Sequence, residues 1–196
     1  MKVVGITGGI ASGKSTVSSY LQNKYQAYIF DADKEAKLLL NSKFISEKIY
    51  KAFPELLDLS KTSIANEAFK NQKSQRKIND IIHPAISDLI LERINDKKKS
   101  HTLFVIDAAL IIESGVFKKH QESGSKLILI SADKDSRLQR ALERSNLSEQ
   151  TINDRMKLQM KDSEKIKHVD YVIENNSTKS ELYNSVDKII KTIMHE

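Results

Sequence analysis

The chain has no cysteine among its 196 residues. That excludes disulfides, thiol nucleophiles and thiolate metal sites, and it fits a reducing compartment. Long hydrophobic runs are missing too. The longest apolar stretch, LFVIDAALII, is interrupted by Asp107 and falls far short of bilayer thickness. The opening MKVVGITGG is too short and too glycine-rich for the apolar core of a signal peptide. A cytoplasmic location, with no membrane partner, is the expectation. Glycine is scarce after residue 13: only Gly115 and Gly124 follow. Three residues before them stand Ile112 and Gln121, so neither makes the D-x-x-G of a GTP-driven switch, and no N-K-x-D guanine motif occurs. Aromatic residues are few, at 6%. None is interleaved in the densest basic run, DKKKS at 96–100, which therefore reads as a solvated loop and not a base-stacking patch. Nucleic acid is not an expected partner. Internal repeats and low-complexity segments are absent as well.

What is present is a globular composition, 39% hydrophobic and 30% charged, at a length that suits one sizeable domain or a domain carrying an insertion. The formal charge of +6 attracts polyanions through its summed field. Five short runs read as strands: KVVGIT at 2–7, AYIFD at 27–31, LFVID at 103–107, KLILIS at 126–131 and DYVIEN at 170–175. Their apolar residues are successive, not alternating, which marks strands covered on both faces in a parallel sheet. Helical patterns lie between them. From Asp33 to Ser100 no strand is convincing. Pro84 divides the last helical pattern of that interval, ending one helix before His83 and opening another. The expected fold is α/β: a doubly wound, parallel five-stranded sheet of the P-loop NTPase type, similar to the nucleotide kinases. Residues 1–33 and 101–196 form its core, 34–100 a helical insertion, and about 134–160 a helical hairpin lid.

Residues 5–16, GITGGIASGKST, satisfy G-x-x-x-x-G-K-[ST] through Gly8, Gly13, Lys14 and Ser15. An apolar strand runs into this loop and a helical pattern runs out. Glycines let successive N–H groups turn inward as an anion nest, and the helix adds its positive end. Ala11, Ser12 and Gly13 then line a phosphate cradle, Lys14 reaches the β- and γ-phosphates, Ser15 is the expected Mg²⁺ ligand, and Thr16 is placed for an α-phosphate contact. ATP with Mg²⁺ is the expected ligand pair.

FDAD at 30–33 closes the second strand. Carboxyl ends of strands face the ligand crevice in doubly wound sheets. If the extended backbone persists, Asp31 and Asp33 point the same way. Asp33 is then either the carboxylate that orients or deprotonates an acceptor hydroxyl, or the N-cap of the next helix. Asp107 ends the third strand, as a water-mediated Mg²⁺ ligand or as a cap. Glu113 follows it towards the same crevice. Arg137, Arg140 and Arg144 share one helix face, where guanidinium groups can bear phosphoryl charge, with Arg140 the first candidate. His83, beside isoleucines, is either packed structure or part of the site.

The ordered set of motifs resembles the dephospho-CoA kinase family nearly end to end. The loop resembles the family's G-[IL]-T-G-G-I-G-S-G-K-S-T, with Ala11 for a Gly; FDAD, INDIIHPAI, the lid segment RALERSNLSEQTINDRMKLQ and DYVIEN match further motifs in order. The resemblance implies ATP-dependent phosphorylation of the ribose 3′-hydroxyl of dephospho-CoA, with Asp33, Lys14 and Arg140 catalytic. It places Asn175 near the adenine end of the ATP site and Asp33, Lys61, His83, Leu110 and Glu113 at the acceptor. The protein is expected as a monomer or weak oligomer. Further departures from the pattern are Ala109 for a Pro, Ser60-Lys61 for a D-R pair, and Arg137 for a lid Gln. Another P-loop kinase acting on a nucleoside or nucleotide is the alternative enzyme. A non-catalytic nucleotide- or RNA-binding module is the alternative of another class.

Overall fold

The computed structural model describes residues 1–196 except 57, 59 and 69. Its five strands are β1 (Lys2–Thr7), β2 (Tyr28–Asp31), β3 (Leu103–Asp107), β4 (Lys126–Ser131) and β5 (Tyr171–Glu174). All are parallel, in the order β2-β3-β1-β4-β5. Because every strand runs the same way, all five carboxyl ends lie on one edge. β3 is buried at each of its five residues, and the pleat divides them. Phe104 and Ile106 enter one core cluster, Leu103 and Val105 the other. Two-sided burial is why the strand sequences do not alternate.

One face is covered by α1 (Lys14–Tyr25) and α10 (Lys179–His195), through Val17, Leu21, Leu182, Val186, Ile190 and Ile193. A Thr178–Glu181 capping box starts α10. Asp187 on α10 accepts hydrogen bonds from Tyr20 at 2.8 Å and Tyr25 at 2.9 Å, which ties the helix behind the phosphate loop to the C-terminal helix.

The other face carries α2 (Ala32–Leu39), α3 (Lys43–Ala52), α4 (Lys61–Ala68) and α5 (Gln72–Lys97), all between β2 and β3. No strand occurs among the described residues of this interval. Ile78, Ile82, Ile86 and Ile90 recur every four residues along α5 and join Phe30, Phe104 and Ile106 in a single cluster. After β3 come α6 (Lys118–Glu122), the hairpin α7 (Lys134–Arg144) with α8 (Glu149–Lys157), and the short α9 (Asp162–Lys165). No helix among the described residues is long and apolar enough to cross a membrane.

Pro84 corrects the expectation of a broken helix: it lies inside α5, which runs unbroken from Gln72 to Lys97. Tertiary packing of the isoleucine stripe overrides the local preference. Pro84 and Asp80 are both on the exposed side, so the Asp80 carbonyl, which loses its N–H partner, can turn to water. Restoring that donor gives a prediction. Pro84→Ala should raise unfolding stability by about 1–3 kcal/mol, measured by chemical denaturation. An unchanged or lower midpoint would show that the helix is built around the proline ring.

Candidate active site

The loop between β1 and α1 follows the path its residues dictate. Gly13 has φ +104°, and a methyl group there would collide with the Asn175 side chain. Gly8 approaches β4 so closely that a Cβ would meet the Ile130 carbonyl. Ala11 also has a left-handed backbone, φ 58°, which an L-residue adopts at some cost. This explains why glycine suits that position. Ser12 is buried, and its hydroxyl has no partner. Ser15, in the first turn of α1, is exposed, and the Thr16 N–H bonds the Gly13 carbonyl at 3.0 Å.

Lys14 Nζ donates to Asp107 Oδ1, forming an ion pair at the end of β3. The other Asp107 oxygen accepts from Ser18 Oγ at 2.6 Å. Asp107 is thus the resting counter-ion of Lys14, a role that neither cap nor water-mediated metal ligand had anticipated. Ser18 gave only a faint signal, a polar residue beside Val17 on the buried face of α1.

The two aspartates of FDAD do not point the same way, because the strand stops at Asp31 and the helix begins at Ala32. Asp31 is the N-cap, accepting from the Lys34 N–H at 2.9 Å. Asp33 is therefore not the cap; it lies in the first turn of α2. The residue is exposed and lines a small cavity. Lost hydration raises its pKa above the ordinary carboxyl value; nearby Lys14 opposes the rise, and the charges of Asp31 and Asp107 add to it.

That cavity, about 100 Å³, is lined by Asp33, Ile82, His83, Ile86, Ala108 and Leu110 among others. His83, Leu110 and Ser114 also border a larger cleft of about 1070 Å³ between α5, the turn after β3, and α8 with the segment that follows it. Glu113 and Arg137 line this cleft as well. Burial lowers the His83 pKa, partly offset by Asp80 and Glu113. His83 and Leu110 thus line both cavities, Asp33 the small one and Glu113 the large one. Lys61 opens α4, and its side chain lies outside the described residues.

The arginines of α7 divide their contacts. Arg137 Nε donates to the Ile10 carbonyl at 2.9 Å, and its guanidinium lies against Gly9. Asp162 stands 3.7 Å from the same guanidinium and accepts from Ser131 Oγ at 2.8 Å. Arg140 reaches further back: Nη2 donates to the Asn175 carbonyl at 2.9 Å, while Nη1 is buried without a partner. Asn175 Nδ2 donates to the Ser12 carbonyl at 2.8 Å, so its amide braces the phosphate loop. Arg144 is exposed. Gln159 Oε1, just after α8, accepts from the Ile10 N–H at 3.0 Å, a second contact with the loop.

A family model described as dephospho-CoA kinase matches residues 2–181. The chain belongs to the dephospho-CoA kinase family. A dephospho-CoA kinase of Fusobacterium nucleatum is 34% identical over 97% of this chain and 98% of its own. That of Aquifex aeolicus is 33% identical over the whole of both chains. The solved dephospho-CoA kinase of Campylobacter jejuni superposes with a TM-score of 0.66 at 28% identity, covering 100% of this chain and 98% of that one. In this member of the dephospho-CoA kinase family, Asp33 lines the small cavity and feels the charge of Lys14 from the loop.

Proposed function

We propose that the protein transfers the terminal phosphoryl group of ATP to the ribose 3′-hydroxyl of dephospho-CoA, giving CoA and ADP. The observation that carries this reading is the position of Asp33. Its carboxyl feels the charge of Lys14, the first residue of α1, and the residue lines the small cavity. Residues 34–100 supply one wall of the acceptor site, and residues 134–160 close over both ligands, excluding water.

Phosphoryl transfer is mostly positioning and charge stabilisation. Lys14 exchanges Asp107 for the β- and γ-phosphates. Arg140 offers the partnerless Nη1 to the nucleotide, and Arg137 holds the lid against the loop. Asp33 orients the acceptor hydroxyl and takes its proton as the new P–O bond forms. The residues fit a Mg²⁺ ion: Ser15 is exposed, with Asp33 and Asp107 nearby, and Mg²⁺ favours one or two protein oxygens together with phosphates. Ser15 would hold the Mg²⁺, which would supply neutralisation of the phosphoryl charge.

Incubation with Mg·ATP and dephospho-CoA, with adenosine, AMP and CMP as parallel acceptors, tests the reading by product mass. A gain of one phosphate on dephospho-CoA alone, at the 3′ position, is expected. Turnover only on a nucleoside or nucleotide would overturn the acceptor assignment.

A further inference from the structure

Lys165 takes no part in the chemistry above, yet it is the one lysine or arginine buried among the described residues, with a relative exposure of 0%. An ammonium group is costly to bury unless it is paired and hydrogen-bonded. Here it is both. Lys165 Nζ donates to the Ala109 carbonyl at 2.8 Å and pairs with Glu113 Oε1 at 3.2 Å. The Ala109 carbonyl also accepts from Thr7 Oγ1 at 3.1 Å, so one oxygen joins the end of β1 to α9. Glu113 Oε1 accepts a second bond, from the Met160 N–H at 3.1 Å. Both contacts fall on Oε1, which leaves Oε2 for a ligand. Glu113 is a lining residue of the large cleft, together with Leu110, His83 and Ser114.

We propose that Lys165 is a positioning residue for the acceptor. It holds the Glu113 carboxylate in one orientation, so that Oε2 accepts a hydrogen bond from an O–H or N–H of the acceptor. It also fixes the Ala109 carbonyl, and with it the 108–114 turn that walls both cavities. The ammonium reaches the site from the segment just after the lid, so acceptor binding and the lid's return path share one anchor. This role rests on the dephospho-CoA reading of the cleft.

A double-mutant cycle tests it. Steady-state constants are measured for wild type, Glu113→Gln, Lys165→Met and the double variant, with dephospho-CoA binding followed by calorimetry. Each single change should raise KM for dephospho-CoA roughly 10- to 100-fold, as loss of a hydrogen bond to a charged group does. KM for ATP should stay within about twofold, since Lys165 touches no part of the phosphate loop. The double variant should be no worse than the worse single variant. Additive effects, or equal losses for ATP and acceptor, would reduce Lys165 to a structural residue and overturn the proposal. Glu113 is partly exposed, so Glu113→Gln tests the proposal even where Lys165→Met does not fold; unchanged acceptor binding in Glu113→Gln overturns it. A wild-type chain that binds no dephospho-CoA overturns the acceptor reading as well, which separates the two failures.

Discussion

Lys14→Met should lower kcat by about 10³-fold or more while leaving the sheet intact. Removal of one preorganised donor to developing charge costs 10²–10³-fold, and a phosphoryl-directed cation is worth 10³–10⁵-fold. The same change has a second effect, because Lys14 is the partner of buried Asp107. Without it, Asp107 keeps only Ser18, and an uncompensated buried carboxylate destabilises the fold. The two effects separate in the pair of variants Lys14→Met and Lys14→Met/Asp107→Asn. Asparagine keeps an acceptor for Ser18 and removes the charge. The double variant should recover most of the lost unfolding midpoint and none of the lost kcat. Recovery of activity with stability would mean that Lys14 acts on the fold and not on phosphate.

Asp33→Asn should lower kcat by about 10²–10⁴-fold, the usual contribution of a positioned general base. Its pH dependence distinguishes it from a merely steric change. The carboxyl must be ionised to accept a proton, and its pKa is raised chiefly by lost hydration. Activity should therefore be full above that raised pKa and fall as pH drops through it, with the acid limb of kcat/KM above the ordinary carboxyl range. In Asp33→Asn the residual activity should lose this limb. ATP affinity should hold or improve slightly, since one like charge beside Asp31 and Asp107 is gone. Stopped titration of kcat/KM from pH 4 to 8, roughly the window around carboxyl pKa values, provides the check. An acid limb that persists in the variant would assign it to another group.

Much of the architecture was legible because burial on both faces writes itself into composition. The apolar runs of β1, β3 and β4 lie where the structure has them, and β2 and β5 differ only by an end residue or two. The phosphate loop was legible because its geometry demands residue types, above all at Gly13. Two local features were misread, each for a physical reason. Pro84 is tolerated inside α5 because its missing donor faces solvent and the isoleucine stripe holds the helix. Asp31 and Asp33 diverge because the strand gives way to helix between them, a boundary that short apolar runs do not mark. The least legible features are contacts between distant segments. Nothing local in KDSEKIK singles out Lys165 for burial over Lys161 or Lys167. Nor does helical spacing tell that Arg137, not Arg140, meets Ile10. Those outcomes depend on where the lid returns to the sheet, which no single stretch encodes.

Asn175 on the far side of β5 and Ser12 in the loop are joined by one hydrogen bond across 163 positions of sequence. β1, which carries the loop, sits in the middle of the sheet, and its neighbours β3 and β4 come only after residue 102. The phosphate loop is thus synthesised well before the strands and the amide that finish it. A nascent chain has no strand partner for β1 until the whole insertion has been made, and no brace on Ser12 until β5 has emerged. Parallel pairings of such long range form slowly. The enzyme should therefore gain nucleotide affinity only once β5 and Asn175 have emerged, so that a chain ended at Glu174 holds no competent ATP site to sequester nucleotide.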